Sequence, residues 1–363
     1  MIKSLIHLLD ANPGFDPHQL LTIQISLPSR RYSKQSQITE FYQSLLERVS
    51  TLPSVLAAGA VQILPFSGTL NAGDLKVEGR TYRAAEDRPH PIFSAAMPGY
   101  FRAMRIPVLE GRVFSASDLS EAALRVVVVD EALAKIAWPH SNPIGERVRF
   151  NDGAWFSVVG VVGNVKTRGF TDPQRGTLYI PRPTSYMSLV IRTASARLPI
   201  VQAVRHAVAS VDRQQPVFGI EMMEQYISES LSDQRLAAFL LGMFAVLALL
   251  LAAIGIYGVV SYSVTQRTHE IGIRMALGAS KKDVLRLVLR QSLALVSVGV
   301  AVGIAAALGL TRLITSLLYH VKPADPATYV AVSFALVGLA LAASYIPARR
   351  AMKVDPVEAL RYE

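Results

Sequence analysis

The chain has 363 residues, of which 51% are hydrophobic, a formal net charge of +10 and no cysteine. The lack of cysteine excludes disulfides and thiolate metal sites, and the basic excess is too dispersed to indicate a nucleic-acid-binding protein. The seven histidines are scattered without zinc-ligand spacing, so we interpret them as surface or loop residues.

The first seventeen residues are predicted to be a remnant or linker. Residues 1–9, MIKSLIHLL, are apolar but too short to span a membrane, and no signal-peptide cleavage pattern follows them. Residues 12–17, NPGFDP, have the composition of a turn. We therefore expect either that a spanning helix has been lost upstream or that the first long apolar run carries the next domain across the membrane.

Residues 18–235 are predicted to form one α+β extracytoplasmic domain. A strand at 20–27, a helix at 36–52 with one apolar face and a strand at 55–64 make a βαβ unit. The same order recurs at the end of the domain, with strands at 186–192 and 217–221 around a helix at 198–211, followed by a helix at 222–231. We expect both βαβ units to share one sheet in a single lobe, with a β-rich lobe at about 97–184 inserted between them.

The middle of this domain contains shorter signals. Strands are predicted at 74–78, 91–96 and 125–129, a helical turn at 99–104, a helix at 130–138 with Asp130 as its N-cap, and a hairpin of 147–150 with 155–165 around Asp152 and Gly153. The sequence GVVGNV at 160–165 has two glycines but no lysine, so we interpret it as a twisted or bulged strand and not as a phosphate loop.

Three charge-free apolar runs follow, at 236–266, 291–311 and 326–348. About 20 such residues span a bilayer, whereas buried helices of soluble proteins usually have about 10 to 14 residues. We therefore predict transmembrane helices at about 239–262, 291–311 and 327–348, within a membrane domain covering 236–363. The spans contain no ionisable residue, which favours force transmission over a hydrophilic substrate path.

The connection between the first two spans carries most of the loop charge. Its basic residues are Arg267, Arg274, Lys281, Lys282, Arg286 and Arg290. Because cytoplasmic loops are enriched in lysine and arginine, residues 263–290 and the C-terminal tail are predicted to be cytoplasmic and residues 18–235 to lie outside.

Residues 265–290 are predicted to form a helix, a tight turn and a second helix, which we call the elbow. The first helix is expected to end at Gly278, and Ser280 with Asp283 fits a capping box for the second. The elbow could anchor the chain to anionic lipids or dock on another protein. Glu270 favours docking, because a lipid anchor would gain from having no acid there.

Other motifs give weaker or negative signals. The sequence contains no GxxxxGK[ST], GxSxG or HExxH motif, so we predict neither an enzyme nor a cofactor or metal site. Gly299, Gly303 and Ala307 form a small-residue stripe suited to helix packing, within the chain or between protomers. Asp355 to Glu358 has the pattern of a helix start, which predicts a short helix in the tail.

The block RTHEIGIRMALGASKKDVLR and the tail PARRAMKVDPVEALRYE resemble FtsX-like permeases of ABC transporters of the macrolide-exporter and lipoprotein-releasing class. PGYFRAMRIPVLEGRVF and VVVVDEALAKIAWPHSNPIGERV resemble the MacB-like periplasmic core domain of the same proteins. NPGFDP and LTIQISLP look most similar to the large bacterial permeases in which this unit is duplicated. The family usually has four spans, one of them before the periplasmic domain, and this span has no counterpart here, which leads us to expect a truncated chain.

The resemblance also implies a site and partners. The elbow would contact a separate ATPase subunit, and two permease units, as a homo- or pseudo-dimer, would face each other in the bacterial inner membrane. The implied coupling residues are Glu270, Gly272, Arg274, Gly278, Ala279 and Lys281.

We therefore expect a permease subunit of an ABC transporter or efflux system that couples ATP hydrolysis by its partner to movement of the periplasmic domain, a process called mechanotransmission. A membrane signalling or scaffolding protein that regulates an envelope partner is the alternative hypothesis.

Overall fold

A computed structural model describes residues 12–351 of the chain, apart from 83, 85–87, 121–123, 151–152, 168–174, 195–196, 231, 278–279 and 318–325. The chain divides into two compact units, Met1–Arg235 and Leu236–Glu363. Each unit has its own buried apolar clusters.

The first unit is a mixed α+β structure. Its strands are β1 (Leu20–Ser26), β2 (Val55–Val61), β3 (Leu75–Val77), β4 (Ile92–Ala95), β5 (Val108–Gly111), β6 (Val126–Asp130), β7 (Arg147–Phe150), β8 (Phe156–Val162), β9 (Thr177–Ile180), β10 (Tyr186–Thr193) and β11 (Phe218–Met222). Its helices are α1 (Gln35–Ser50), α2 (Tyr100–Met104), α3 (Glu131–Ala137), α4 (Arg197–Val211) and α5 (Met223–Ser230), with a 3-10 turn at Ala116–Leu119.

A four-stranded antiparallel sheet has the order β11-β1-β10-β2. This is the strand order of a split βαβ fold, and it confirms that the two predicted βαβ units share one sheet. The predicted apolar face of α1 is also confirmed, because Tyr42, Leu45 and Val49 are fully buried against this sheet together with α4 residues such as Val204. The two helices thus cover one face of the sheet.

The remaining strands form a seven-stranded sheet in the order β3-β7-β8-β6-β9-β4, with β5 paired to β8. This sheet begins at Leu75, earlier than the boundary expected near residue 97. The reason is long-range pairing: β3 lies antiparallel to β7, with Leu75 opposite Phe150, and β4 lies parallel to β9, with Ile92 opposite Thr177. Neither β5 nor β9 was predicted as a strand.

The two sheets share one core. Leu20 and Val190 from the four-stranded sheet belong to the same buried cluster as Val128 and Tyr179 from the other, and α2 contributes Tyr100 to it. The close approach of α2 to β2 requires a glycine, since a Cβ on Gly59 would lie 2.3 Å from the Tyr100 nitrogen. The second lobe is therefore packed on the first and is not a separate domain.

Strand β8 contains the bulge that its glycines predicted. Val127 pairs with Val158 but Val128 pairs with Gly160, so Val159 is the extra residue. A Cβ on Gly160 would lie 2.1 Å from the carbonyl oxygen of Arg112, which explains why a glycine occupies the position beside β5. The interpretation of residues 160–165 as a bulged strand is confirmed as far as Val162, where β8 ends.

Asp130 links β6 to α3. Its side chain accepts a hydrogen bond from the Leu133 nitrogen at 2.8 Å, which confirms the predicted N-cap. The residue is only 3% exposed, and this burial raises the pKa of Asp130 to about 6, although hydrogen bonds from Leu133 and Thr177 act in the opposite direction. A buried carboxyl therefore titrates in the mildly acidic range.

Asp130→Asn is expected to change how the stability of the first unit depends on pH. Because the folded pKa is raised, the protonated Asp130 stabilises the fold below about pH 4, and this contribution is lost as the pH rises through about 6. Asparagine still caps α3 but cannot ionise, so the variant should lack this loss of about 2 to 3 kcal/mol.

The measurement is denaturant unfolding at a series of pH values, followed by the fluorescence of Trp138 and Trp155, which are the two tryptophans of the chain. Glu47→Gln on the exposed surface of α1 is the control and should follow the wild-type curve. Parallel curves for Asp130→Asn and the wild type would contradict the assignment.

The second unit is helical where the structure describes it. Its helices are α6 (Ser232–Gln266), which begins just before the division between the units, α7 (Thr268–Ala276), α8 (Lys281–Leu317) and α9 (Pro326–Ala351). Three segments are long and apolar enough to cross a membrane, namely Phe239–Gln266, Lys282–Gly309 and Val330–Pro347. The expected three apolar helices after an α+β domain are confirmed.

One detail of the elbow differs from the prediction. Its second helix is not a short separate helix but the start of α8, which continues without a break to Leu317. No glycine or proline separates Val284 from the apolar run after Arg290, so nothing stops the helix there. The short helix predicted in the tail lies outside the described residues.

Candidate coupling site

The elbow begins with a one-residue turn. Helix α6 ends at Gln266, and the Arg267 nitrogen donates to the Val264 carbonyl at 3.2 Å. The Arg267 carbonyl then accepts from the Ile271 nitrogen at 2.9 Å, which starts α7. Backbone hydrogen bonds therefore continue through the junction between α6 and α7.

The start of α8 is fixed by a capping box. The Ser280 nitrogen donates to Asp283 Oδ2 at 3.0 Å, and the Asp283 nitrogen donates to Ser280 Oγ at 3.4 Å. The Ser280 hydroxyl also donates to the same Asp283 oxygen at 2.6 Å. The predicted cap is confirmed, and it sets the residue at which α8 begins.

Ser280→Ala is expected to loosen the first turn of α8. Loss of an N-cap hydroxyl costs about 1 kcal/mol, which should speed amide exchange at Asp283 about fivefold. Hydrogen–deuterium exchange of the purified protein measures this effect. Ser297→Ala, an exposed site further along α8, is the control. Equal exchange at Asp283 in both variants would exclude a role for the cap.

Two buried contacts hold the elbow together. Ile271 of α7 packs against Val284 of α8, and both are only 3% exposed. Val260 of α6 packs against Val288 of α8 beside it. Val264 is half-buried between these pairs. Helix α7 is therefore joined both to the end of α6 and to the start of α8.

The outer surface of α7 is exposed and mixed in character. Arg274 donates to Glu270 at 2.5 Å, one helical turn apart, and both side chains are about half exposed. Ile273 is 38% exposed and Leu277 is 83% exposed. Apolar residues beside a charged pair are typical of protein-docking surfaces.

The exposed apolar residues of α7 were missed in the sequence. A detectable signal exists, because successive helical residues are about 100° apart, so Ile271 and Ile273 point in nearly opposite directions. A helix that buries Ile271 must therefore expose Ile273. Leu277 follows the last residue of α7, its nitrogen donates to the Ile273 carbonyl at 3.0 Å, and it is exposed as well.

The predicted coupling residues are only partly brought together. The structure pairs Glu270 with Arg274, places Gly272 between them in α7 and makes Lys281 the first residue of α8. Gly278 and Ala279 lie outside the described residues. Among the residues that the structure describes, no group of three or more histidine, aspartate or glutamate side chains could hold a metal ion.

The small-residue stripe lines a groove. This groove is an apolar cavity of about 690 Å³. It is bordered by Gly299, Gly303 and Ala307 of α8 and by residues of α6 and α9 such as Gly255 and Leu336. A Cβ added to Gly299 or Gly303 would meet no atom within 4 Å. In the described part of the chain, no neighbouring helix packs directly against these two glycines.

Comparison with known families assigns both units. Residues 11–214 match the MacB-like periplasmic core domain, and residues 242–356 match the FtsX-like permease C-terminal domain. The chain belongs to the MacB-like permeases of the ABC transporter family. The α+β unit of this permease is thus its periplasmic core domain, and the elbow lies in its FtsX-like domain.

Several characterised proteins are similar to this MacB-like permease. The macrolide export ATP-binding/permease protein MacB of Marinobacter nauticus is 29% identical over 95% of this chain and 52% of its own length. The pyoverdine export ATP-binding/permease protein PvdT of Pseudomonas savastanoi is 29% identical over 71% of this chain and 40% of its own. The chain spans about half the length of the curated relatives that it matches.

Among solved structures, the periplasmic region of MacB from Actinobacillus actinomycetemcomitans matches with a TM-score of 0.40 and 17% identity. The match covers 62% of this chain and 97% of that structure.

Proposed function

We propose that this MacB-like permease is the membrane subunit of an export system and couples ATP hydrolysis by a separate ATPase subunit to movement of its periplasmic domain. The observation that carries the proposal is the elbow, which combines a rigid frame with an exposed surface formed by Glu270, Ile273, Arg274 and Leu277. The sequence has no P-loop motif of its own, so the nucleotide chemistry is assigned to the partner.

The elbow can pass on force because its frame is internally bonded. A push on α7 acts on α8 through the buried contact of Ile271 with Val284 and on α6 through Val264. Helix α6 has 35 residues and is about 50 Å long, whereas the hydrocarbon core of a bilayer is about 30 Å thick. Motion applied at Gln266 therefore reaches Ser232 through one continuous helix.

We assign the permease to the bacterial inner membrane, with the elbow and the tail in the cytoplasm and residues 18–235 in the periplasm. The basic elbow favours this orientation. A second permease unit is the proposed partner of the groove beside Gly299 and Gly303, since small residues let helices approach closely in lipid. Residues 236–363 would then form the membrane part of a homo- or pseudo-dimer.

The proposal can be tested with single cysteines, because the chain has none. Lys282→Cys at the elbow should react with a membrane-impermeant maleimide only after the cells are opened, and Glu47→Cys should react in cells with a permeabilised outer membrane. Both native side chains are exposed. Purification from the same membranes should also retain an ABC ATPase. Labelling of both positions from one side would exclude the proposed orientation and, with it, the coupling role.

A further inference from the structure

The segment Asn12–His18, which precedes β1, is bound from several directions. The Lys166 nitrogen donates to the Pro13 carbonyl and the Asp16 nitrogen donates to the Met104 carbonyl, each at 3.0 Å. Phe15 is 5% exposed and lies edge-on against Phe66 in the core shared by the two sheets. The segment is therefore built into the domain and is not a loose leader to β1.

Arg192 of β10 is the central tie to this segment. It is only 3% exposed, and its Nε donates to the Ala103 carbonyl at 2.7 Å. Its two terminal nitrogens donate to the carbonyls of His18 and Asp16, each at 2.7 Å, and to Asp16 Oδ2 at 3.3 Å. Strand β10, an inner strand of the four-stranded sheet, is thus hydrogen-bonded to the segment through Arg192.

The segment also contacts α5, the helix that precedes the apolar helix α6 in the sequence. His18 Nδ1 forms an ion-pair contact with the carboxylate of Glu224, in the first turn of α5. The neighbouring Met223 is fully buried in the shared core, and Tyr226 packs against it. Only residue 231 separates α5 from α6 in the chain. Helix α5 therefore immediately precedes α6 in the sequence.

We propose that His18 and Glu224 are positioning residues of a joint that passes displacement of α5 to the segment Asn12–His18 and, through Arg192, to the four-stranded sheet. This role rests on the proposed coupling function. Nothing in the fold alone requires the pair, because His18 is 76% exposed and Glu224 is 47% exposed. Exposed ion pairs contribute little to stability.

The low cost of the pair makes the joint separable from folding. His18→Ala removes the link to Glu224, and His18→Lys places a different hydrogen-bond donor, an ammonium group, at the same position. Lys135→Ala is the matched control, since Lys135 and Glu131 form an exposed ion pair on α3 and neither residue belongs to the segment or to α5. All three variants should unfold at nearly the same denaturant concentration as the wild type.

The experiment uses the full chain with its copurified ATPase in lipid nanodiscs. Hydrogen–deuterium exchange is compared without nucleotide and after trapping with ATP and vanadate. In the wild type, trapping should change exchange both in α5 and in residues 12–24. In His18→Ala the change in α5 should remain, and the change in residues 12–24 should fall at least about threefold. His18→Lys and Lys135→Ala should behave like the wild type.

Three results would overturn the joint. If residues 12–24 respond in His18→Ala as they do in the wild type, the joint is wrong and the proposed function stands. If His18→Ala unfolds at a clearly lower denaturant concentration, the pair is only structural. If α5 of the wild type does not respond to nucleotide at all, both the joint and the proposed coupling function fail.

Discussion

Glu270→Lys is expected to reduce the ATPase retained by the purified permease at least about tenfold. The substitution replaces the ion pair of Glu270 with Arg274 by two like charges one helical turn apart, and it changes the net charge of these two residues from 0 to +2. A tenfold loss corresponds to about 1.4 kcal/mol, which is within the range of a single important interface residue. The measurement is the ratio of ATPase to permease after affinity purification.

Glu47→Lys is the control for this variant. It makes the same change of charge on the exposed surface of α1, in the periplasmic core domain, and should leave the ratio unchanged. An ATPase ratio for Glu270→Lys equal to that of the control would remove Glu270 from the coupling surface. Equal losses in both variants would mean that the overall charge, and not the elbow, controls assembly.

Arg192→Met is expected to lower the free energy of unfolding of the periplasmic core domain by about 3 to 5 kcal/mol. Methionine fills part of the volume but leaves the carbonyls of Ala103, His18 and Asp16 without their buried donor. The loss is of this size because three backbone acceptors lose one buried donor, and each acceptor left desolvated without a partner costs about 1 to 3 kcal/mol. Denaturant unfolding followed by tryptophan fluorescence measures the loss.

Arg31→Met is the matched control. Arg31 also binds an aspartate, Asp212 at 2.8 Å, but it lies at the surface, so the expected loss is at most about 1 kcal/mol. A similar loss of unfolding free energy in both variants would show that the burial of Arg192 does not make its contacts more stabilising than those of Arg31. The free energy of unfolding of Arg192→Lys should be close to that of Arg192→Met, since an ammonium group cannot supply the planar set of donors that the guanidinium group offers.

Features that depend on neighbouring residues could be predicted from the sequence. The buried face of α1 follows from apolar residues three and four apart, and the start of α8 follows from Ser280 and Asp283 in one turn. The long apolar helices follow from the absence of charge. In each case the deciding interactions lie within one helix, so local spacing contains the information.

Features that depend on distant residues could not be predicted in this way. Arg192 meets Asp16 across 176 positions, and in the sequence it is only a charged residue at the end of an apolar strand. The early start of the seven-stranded sheet depends on the pairing of β3 with β7 and of β4 with β9, which no local pattern encodes. The residues of the candidate site were predicted more completely than the contact of His18 with Glu224, because the elbow is one continuous stretch of chain.

The position of β1 has a consequence for biogenesis. This strand comes from the start of the domain but lies between β10 and β11, which come from its end. The sheet therefore cannot close until Met222 has been synthesised and exported, and the first apolar helix follows within a few residues. Folding of the domain and insertion of that helix are then expected to overlap in time, and slow insertion would leave the edge of β1 that pairs with β11 open to proteases and chaperones.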